Sequence, residues 1–165
     1  MSLDTSINQT LPKNFELYWE DFQVGQIRYF GSVLITEKEI IEFSEKYDPQ
    51  RFHINIEAAN DTIFSGLIAS GWHTCSLMMK MMCDEYLLKS ASLGSPGLNN
   101  IRWIKPVRPG DTLSMKTEVL ESREMDSRPN VGLINTLWTC FNQKNETILT
   151  MDGWGMFLKR IVREK

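Results

Sequence analysis

Between Trp72 and Leu88 the chain reads WHTCSLMMKMMCDEYLL, and its apolar residues run nearly all the way round a helical projection. A helix of that kind does not sit on a surface with one wet face; it is expected to be enclosed by other structure. The sequence that follows supplies the enclosure. After a loop rich in Gly, Ser and Pro (90–97), the pattern changes to strands, expected over 98–105, 112–123, 131–142 and 148–160. TLSMKTEVL places Leu113, Met115, Thr117 and Val119 at the period of a half-buried strand. VRPGD (107–111) is a Pro-then-Gly turn and NQKNE (142–146) a polar hairpin. Strands that succeed one another so closely favour antiparallel pairing. The expected fold is α+β, an antiparallel sheet wrapped around one long buried central helix.

The first strand is expected at 26–35, followed by TEKEIIEF. Thr36 with Glu39 three residues on is a capping box, and Ile40, Phe43 and Tyr47 make an apolar stripe at helical spacing. This helix must stop near Asp48, because a residue followed by proline is pushed out of the α region. NIEAAND (55–61) reads as a short helix, and FSGLIASG follows, with Gly66 and Gly71 allowing tight backbone approach. Residues 1–14 read as a flexible polar lead and 15–165 as a single domain without repeats or low-complexity tracts.

With 165 residues, 42% of them hydrophobic, the chain is long enough to bury a real core. Its formal net charge of -3 argues against nucleic acid as the main partner, since phosphate binding needs a basic face. A small anionic ligand needs only a few local cations and is not excluded. No apolar run approaches the ~20 residues that span a bilayer, and the polar start lacks the order of a signal peptide. Cys75, Cys83 and Cys140 show no Cys-x-x-Cys spacing, so reduced thiols, a cytoplasmic location and no metal site are expected.

The chemistry centres on YDPQRFH (47–53), which holds one of the two histidines. Asp48 and His53 are too far apart for a shared helix face, but across a proline turn both side chains can converge on one water. A carboxylate and an imidazole so placed form a general acid–base device near neutrality. Spacing alone leaves the plainer reading open, in which Asp48 ends a helix and His53 packs at the surface. ASGWHT starts the buried helix, and the first N–H groups there, Gly71 foremost, can hold a developing oxyanion. Ser70 can cap that helix and has no evident partner as a nucleophile. His73 reads as a core or interface histidine. Met78, Met79, Met81 and Met82 can line an acyl tunnel or simply fill the core. Arg102, Lys105 and Arg108 form a basic trio near the turn, usable for phosphates or merely a solvated face.

Taken in order, YDPQRFHINIEAA, FSGLIASGWHT and IRWIKPVRPGDTL, with the opening YWEDFQVGQ, resemble the MaoC-like dehydratases, the (R)-specific enoyl-CoA hydratases of hotdog fold. The resemblance covers most of the chain from Tyr18 onward. It implies that Asp48 and His53 hold one water and add it to a trans-2-enoyl thioester, or remove it from the (R)-3-hydroxyacyl thioester. It also implies that the Gly71 N–H polarises the thioester carbonyl. No metal or redox cofactor is implied, since coenzyme A arrives as part of the substrate. A homo-oligomer, at least a dimer with paired sheets, is implied as well.

Two departures stand out. Gln50-Arg51 replaces the family's Asn-Pro, the proline having moved to follow Asp48, and Ser70 stands where many members carry histidine. They bear on substrate choice more than on reaction class, with Arg51 placed to meet a carboxylate or phosphate or to face solvent. Two other readings share the fold: an acyl-CoA thioesterase, and a non-catalytic acyl-thioester-binding module. Thioesterases of this fold usually place an acid at or in the central helix, and Gly71 to Met82 contains none.

Overall fold

The computed structural model describes residues 15–160, so the lead expected at 1–14 lies outside the described residues. Strand β1 (Ile27–Leu34) is followed by helix α1 (Glu37–Tyr47). The capping box is present: Thr36 N–H donates to Glu39 Oε2 at 2.8 Å, and Glu39 N–H donates to Thr36 Oγ1 at 3.2 Å. Two short helices, α2 (Arg51–Ile54) and α3 (Ile56–Asn60), lead into the long helix α4 (Gly71–Glu85). Four further strands follow: β2 (Gly97–Trp103), β3 (Thr112–Glu124), β4 (Val131–Phe141) and β5 (Thr147–Leu158).

The strands form one sheet in the order β1-β3-β4-β5-β2, with every neighbouring pair antiparallel. This is the α+β hotdog arrangement expected, a sheet curled around a central helix. Met78, Met81 and Met82 of α4 pack into one core with Leu113, Met115, Val119, Ile134, Leu149 and Met151 from the sheet. β1 bends where it crosses the helix. Its register shifts between Phe30 and Val33, and Gly31 there has φ +80°. A Cβ at Gly31 would lie 2.3 Å from Met81 Sδ, so the bend brings backbone directly onto the helix.

Two details differ from expectation. α4 ends at Glu85, and Leu87–Lys89 form a separate 3-10 turn rather than continuing the helix. The helix is also less enclosed than its composition implies, since Trp72 and Met79 are 59% and 49% exposed. They lie on the side of edge strand β2, where Leu98, Trp103 and Ile104 are exposed too. No described helix is long and apolar enough to cross a membrane.

Candidate active site

α1 stops at Asp48 with φ -153° and ψ 67°, as the following proline requires. The Gln50 N–H then donates back to the Asp48 carbonyl at 2.7 Å, and the His53 N–H to the Gln50 carbonyl at 2.8 Å. The turn therefore closes into α2 and returns the imidazole to the acid, with His53 Nε2 3.4 Å from Asp48 Oδ2. His53 is only 4% exposed, which disposes of a surface histidine. Its Nδ1 lies 2.8 Å from the Ile68 carbonyl oxygen. A carbonyl only accepts, so Nδ1 carries a proton and Nε2 is the nitrogen free to exchange one on the Asp48 side.

Asp48 is held as firmly. Its Oδ2 accepts from Ser70 Oγ at 2.7 Å and its Oδ1 from Gln50 Nε2 at 2.8 Å. Burial acts to raise its pKa, but the Ser70 and Gln50 hydrogen bonds and the His53 charge outweigh burial. The carboxyl is left below the ordinary carboxylate value and is ionised at neutral pH. Gln50, one residue of the Gln50-Arg51 pair that departs from the family pattern, thus orients the acid. Arg51, the other, is exposed and has no side-chain partner among the described residues.

Ser70 also caps α4, its Oγ accepting from the Trp72 N–H at 3.2 Å. One hydroxyl therefore ties the start of α4 to the catalytic candidate Asp48. The Gly71 N–H, in the first turn of α4, has no acceptor among the described residues and stands at the positive end of the helix dipole. Why glycine is needed there follows from Trp103, which sequence spacing did not single out because it lies far along the chain on β2. A Cβ at Gly71 would come within 2.4 Å of Trp103 Nε1. A cavity of about 300 Å³ opens at this point, lined by His53, Gly71 and Trp103 together with Phe52, Phe64 and Pro106.

The basic trio does not act as a cluster. Lys105 pairs with Glu146 at 2.6 Å, and Arg108 donates to the Phe64 carbonyl at 2.5 Å, tying down the loop before Ile68. Arg102 is exposed and unpaired among the described residues. His73 is a core histidine, stacked on Phe43 with ring centroids 4.5 Å apart and planes at 3°. Burial pushes its pKa down, with Glu39 partly opposing, and its Nδ1 is buried without a partner. The Cys75 thiol is pushed up by burial, which disfavours a thiolate nucleophile. Among the described residues no group of three or more His, Cys, Asp or Glu side chains is placed to hold a metal.

A pH prediction follows from His73. Because its folded pKa is lowered, the unfolded chain binds the extra proton first, so stability falls as pH drops below the ordinary histidine value of about 6.5. His73→Phe keeps the stack on Phe43 and removes the titration. Urea melts between neutral and mildly acidic pH should show a smaller acid loss in the variant than in the wild type; equal losses would contradict this assignment.

Comparison with known proteins agrees with the architecture. The family model described as "MaoC like domain" matches residues 21–137. A Bacillus subtilis protein, the uncharacterized YdeM, is 30% identical over 125 residues, covering 76% of this chain and 87% of the relative. The crystal structure of a MaoC-like dehydratase from Rhodospirillum rubrum superposes with a TM-score of 0.81 at 31% identity, covering 88% of this chain and 99% of that one. A β-methylmalyl-CoA dehydratase of Chloroflexus aurantiacus is 25% identical over 118 residues, which are 70% of this chain but only 33% of that larger protein.

Proposed function

The chain belongs to the MaoC-like domain family, and from that premise we propose that it is a hydro-lyase adding water reversibly to a trans-2-enoyl thioester to give the (R)-3-hydroxyacyl thioester. The observation that carries the reading is the Asp48 Oδ2 to His53 Nε2 approach of 3.4 Å, tied through Ser70 to the helix start at Gly71. In the hydration direction Asp48, held ionised, takes a proton from water as the water oxygen attacks C3. Electrons move through C2 onto the thioester oxygen, which the Gly71 N–H steadies. His53 then delivers an Nε2 proton to C2, and the proton on Asp48 passes across to restore it. The step is redox-neutral, so its chemistry calls for no redox cofactor.

A dehydratase name on a CoA-handling relative and on a structural neighbour supports the reaction class. A second copy of the chain is part of the proposal. β2 pairs only with β5, leaving one edge open beside the exposed Trp72, Leu98, Trp103 and Ile104. The test is loss of the conjugated-enoyl absorbance on mixing the protein with short trans-2-enoyl-CoA, followed by chiral analysis of the product. No turnover on a panel of CoA and carrier-protein thioesters would sink the reading, and release of free thiol would favour a thioesterase instead.

A further inference from the structure

A second cavity, of about 340 Å³, runs between α4 and the inner face of the sheet. Its roof is a straight stripe of α4, Trp72, Cys75, Met79 and Met82, which continues to Tyr86 at the helix end. At 1.5 Å per residue that stripe is roughly 20 Å long, starting one residue from Gly71. The floor contains a row of paired residues crossing the whole sheet: Arg28, Thr117, Trp138, Met151 and Ile101. Ile101 and Met151 make the cavity apolar along β2, with Ser92 and Ser95 of the preceding loop also in its lining, and Gln26 and Arg28 make the β1 end polar.

Arg28 makes that polar end unusual. It is half-buried and lies on the inward-facing register of β1. Its guanidinium sits 5.7 Å from the Phe22 ring centre and 6.0 Å from that of Tyr86. Among the described residues it has no carboxylate partner and no side-chain hydrogen bond. Beside it on the same strand edge, Gln26 also lines the cavity and leaves a buried Oε1 without a donor. The Tyr86 hydroxyl accepts from Trp138 Nε1–H at 3.2 Å and makes no hydrogen bond to Arg28. A half-buried arginine at the end of an apolar cavity, held over two rings with no carboxylate partner among the described residues, lacks its natural counter-charge.

We propose that this cavity holds an acyl chain lying along α4 from the Gly71 end and that Arg28 receives a carboxylate at the chain's far end. The proposal rests on the thioester reading of the Asp48 and His53 site and deepens it: the substrate class becomes the enoyl thioester of a dicarboxylic acid. The apolar stretch takes the methylenes, and the terminal carboxylate supplies the fork-matching anion that Arg28 lacks.

The test uses trans-2-enoyl-CoA thioesters of increasing length, each made with a methyl end and with a carboxyl end. At the length that reaches Arg28, the carboxyl-ended compound should have a kcat/KM at least about tenfold above its methyl-ended partner, the scale of one charge-assisted hydrogen bond. Arg28→Met should erase that preference, bringing the kcat/KM of the carboxyl-ended compound down to that of its methyl-ended partner, and Arg28→Lys should keep part of it. Equal turnover of the two series by the wild type, or a preference that survives Arg28→Met, overturns the proposal. Binding is read separately by quenching of Trp72, Trp138 and Trp154, all of which line the cavity, with free long-chain dicarboxylic acid. If no thioester is turned over, the catalytic reading fails. Dicarboxylate binding lost in Arg28→Met then still supports the cavity assignment, and binding unaffected by that change removes it.

Discussion

Asp48→Asn and His53→Asn should each lower kcat for enoyl-thioester hydration by about 10²–10⁴, the range for loss of a positioned general acid or base. Neither change should unfold the protein. The amide introduced by Asp48→Asn has the shape of the carboxylate it replaces and keeps an oxygen to accept a hydrogen bond, and the backbone turn closing 48–53 uses no side chain. Because the two groups handle one water as a unit, the double variant should be little worse than either single one. Steady-state kinetics beside thermal melts separate these outcomes: multiplied losses, or losses matched by unfolding, would contradict a cooperating pair. The acid limb of the kcat/KM profile adds a directional check. Against the opposing effect of burial, Ser70 and Gln50 hold the Asp48 pKa down, so removing the Ser70 hydroxyl with Ser70→Ala lets it rise. Asp48 then protonates at higher pH, and the acid limb should move upward relative to the wild type.

The parts of this site that share a short stretch of chain were legible in the sequence. The capping box at Thr36 and the stop before Pro49 are local rules, and each is obeyed in the folded chain; spacing alone left the return to His53 open, and only the family resemblance pointed to it. Strand β3 could be read from alternation, because Leu113, Met115, Thr117 and Val119 are buried while the residues between them are not. Contacts between distant segments could not be read in this way. Ser70 offers a cap by its position alone, but that its hydroxyl also serves Asp48 depends on where α4 lands against the end of α1. Gln50 looked like an unexplained departure, and only the turn geometry shows its amide reaching Asp48 Oδ1. The all-round apolar pattern of α4 overstated its enclosure for a related reason. Apolar composition does not distinguish a face covered by the chain's own sheet from one, at Trp72 and Met79, that the single chain leaves open.

Gly71→Ala should be the second severe substitution, and its cause should be traceable to a single partner. The new methyl would lie 2.4 Å from Trp103 Nε1 and 2.6 Å from Trp103 Cε2, so either the indole or the first turn of α4 must move. Overpacking of this kind costs about 1–3 kcal/mol in stability. The catalytic loss should be larger than that figure suggests. Misplacing an oxyanion donor costs about 10²–10³ in kcat, and a shift of the helix start also drags on the Ser70 link to Asp48. A double-mutant cycle with Trp103→Ala isolates the steric cause. With the indole gone, nothing opposes the methyl, so the added stability cost of Gly71→Ala should shrink to within about 0.5 kcal/mol of zero in urea titrations. If the full cost persists in the Trp103→Ala background, the glycine is required by backbone conformation at the helix start rather than by the tryptophan lying over it. If stability returns in the double variant and kcat returns with it, the first turn of α4 had been displaced by the indole and springs back once relieved, as this geometry requires.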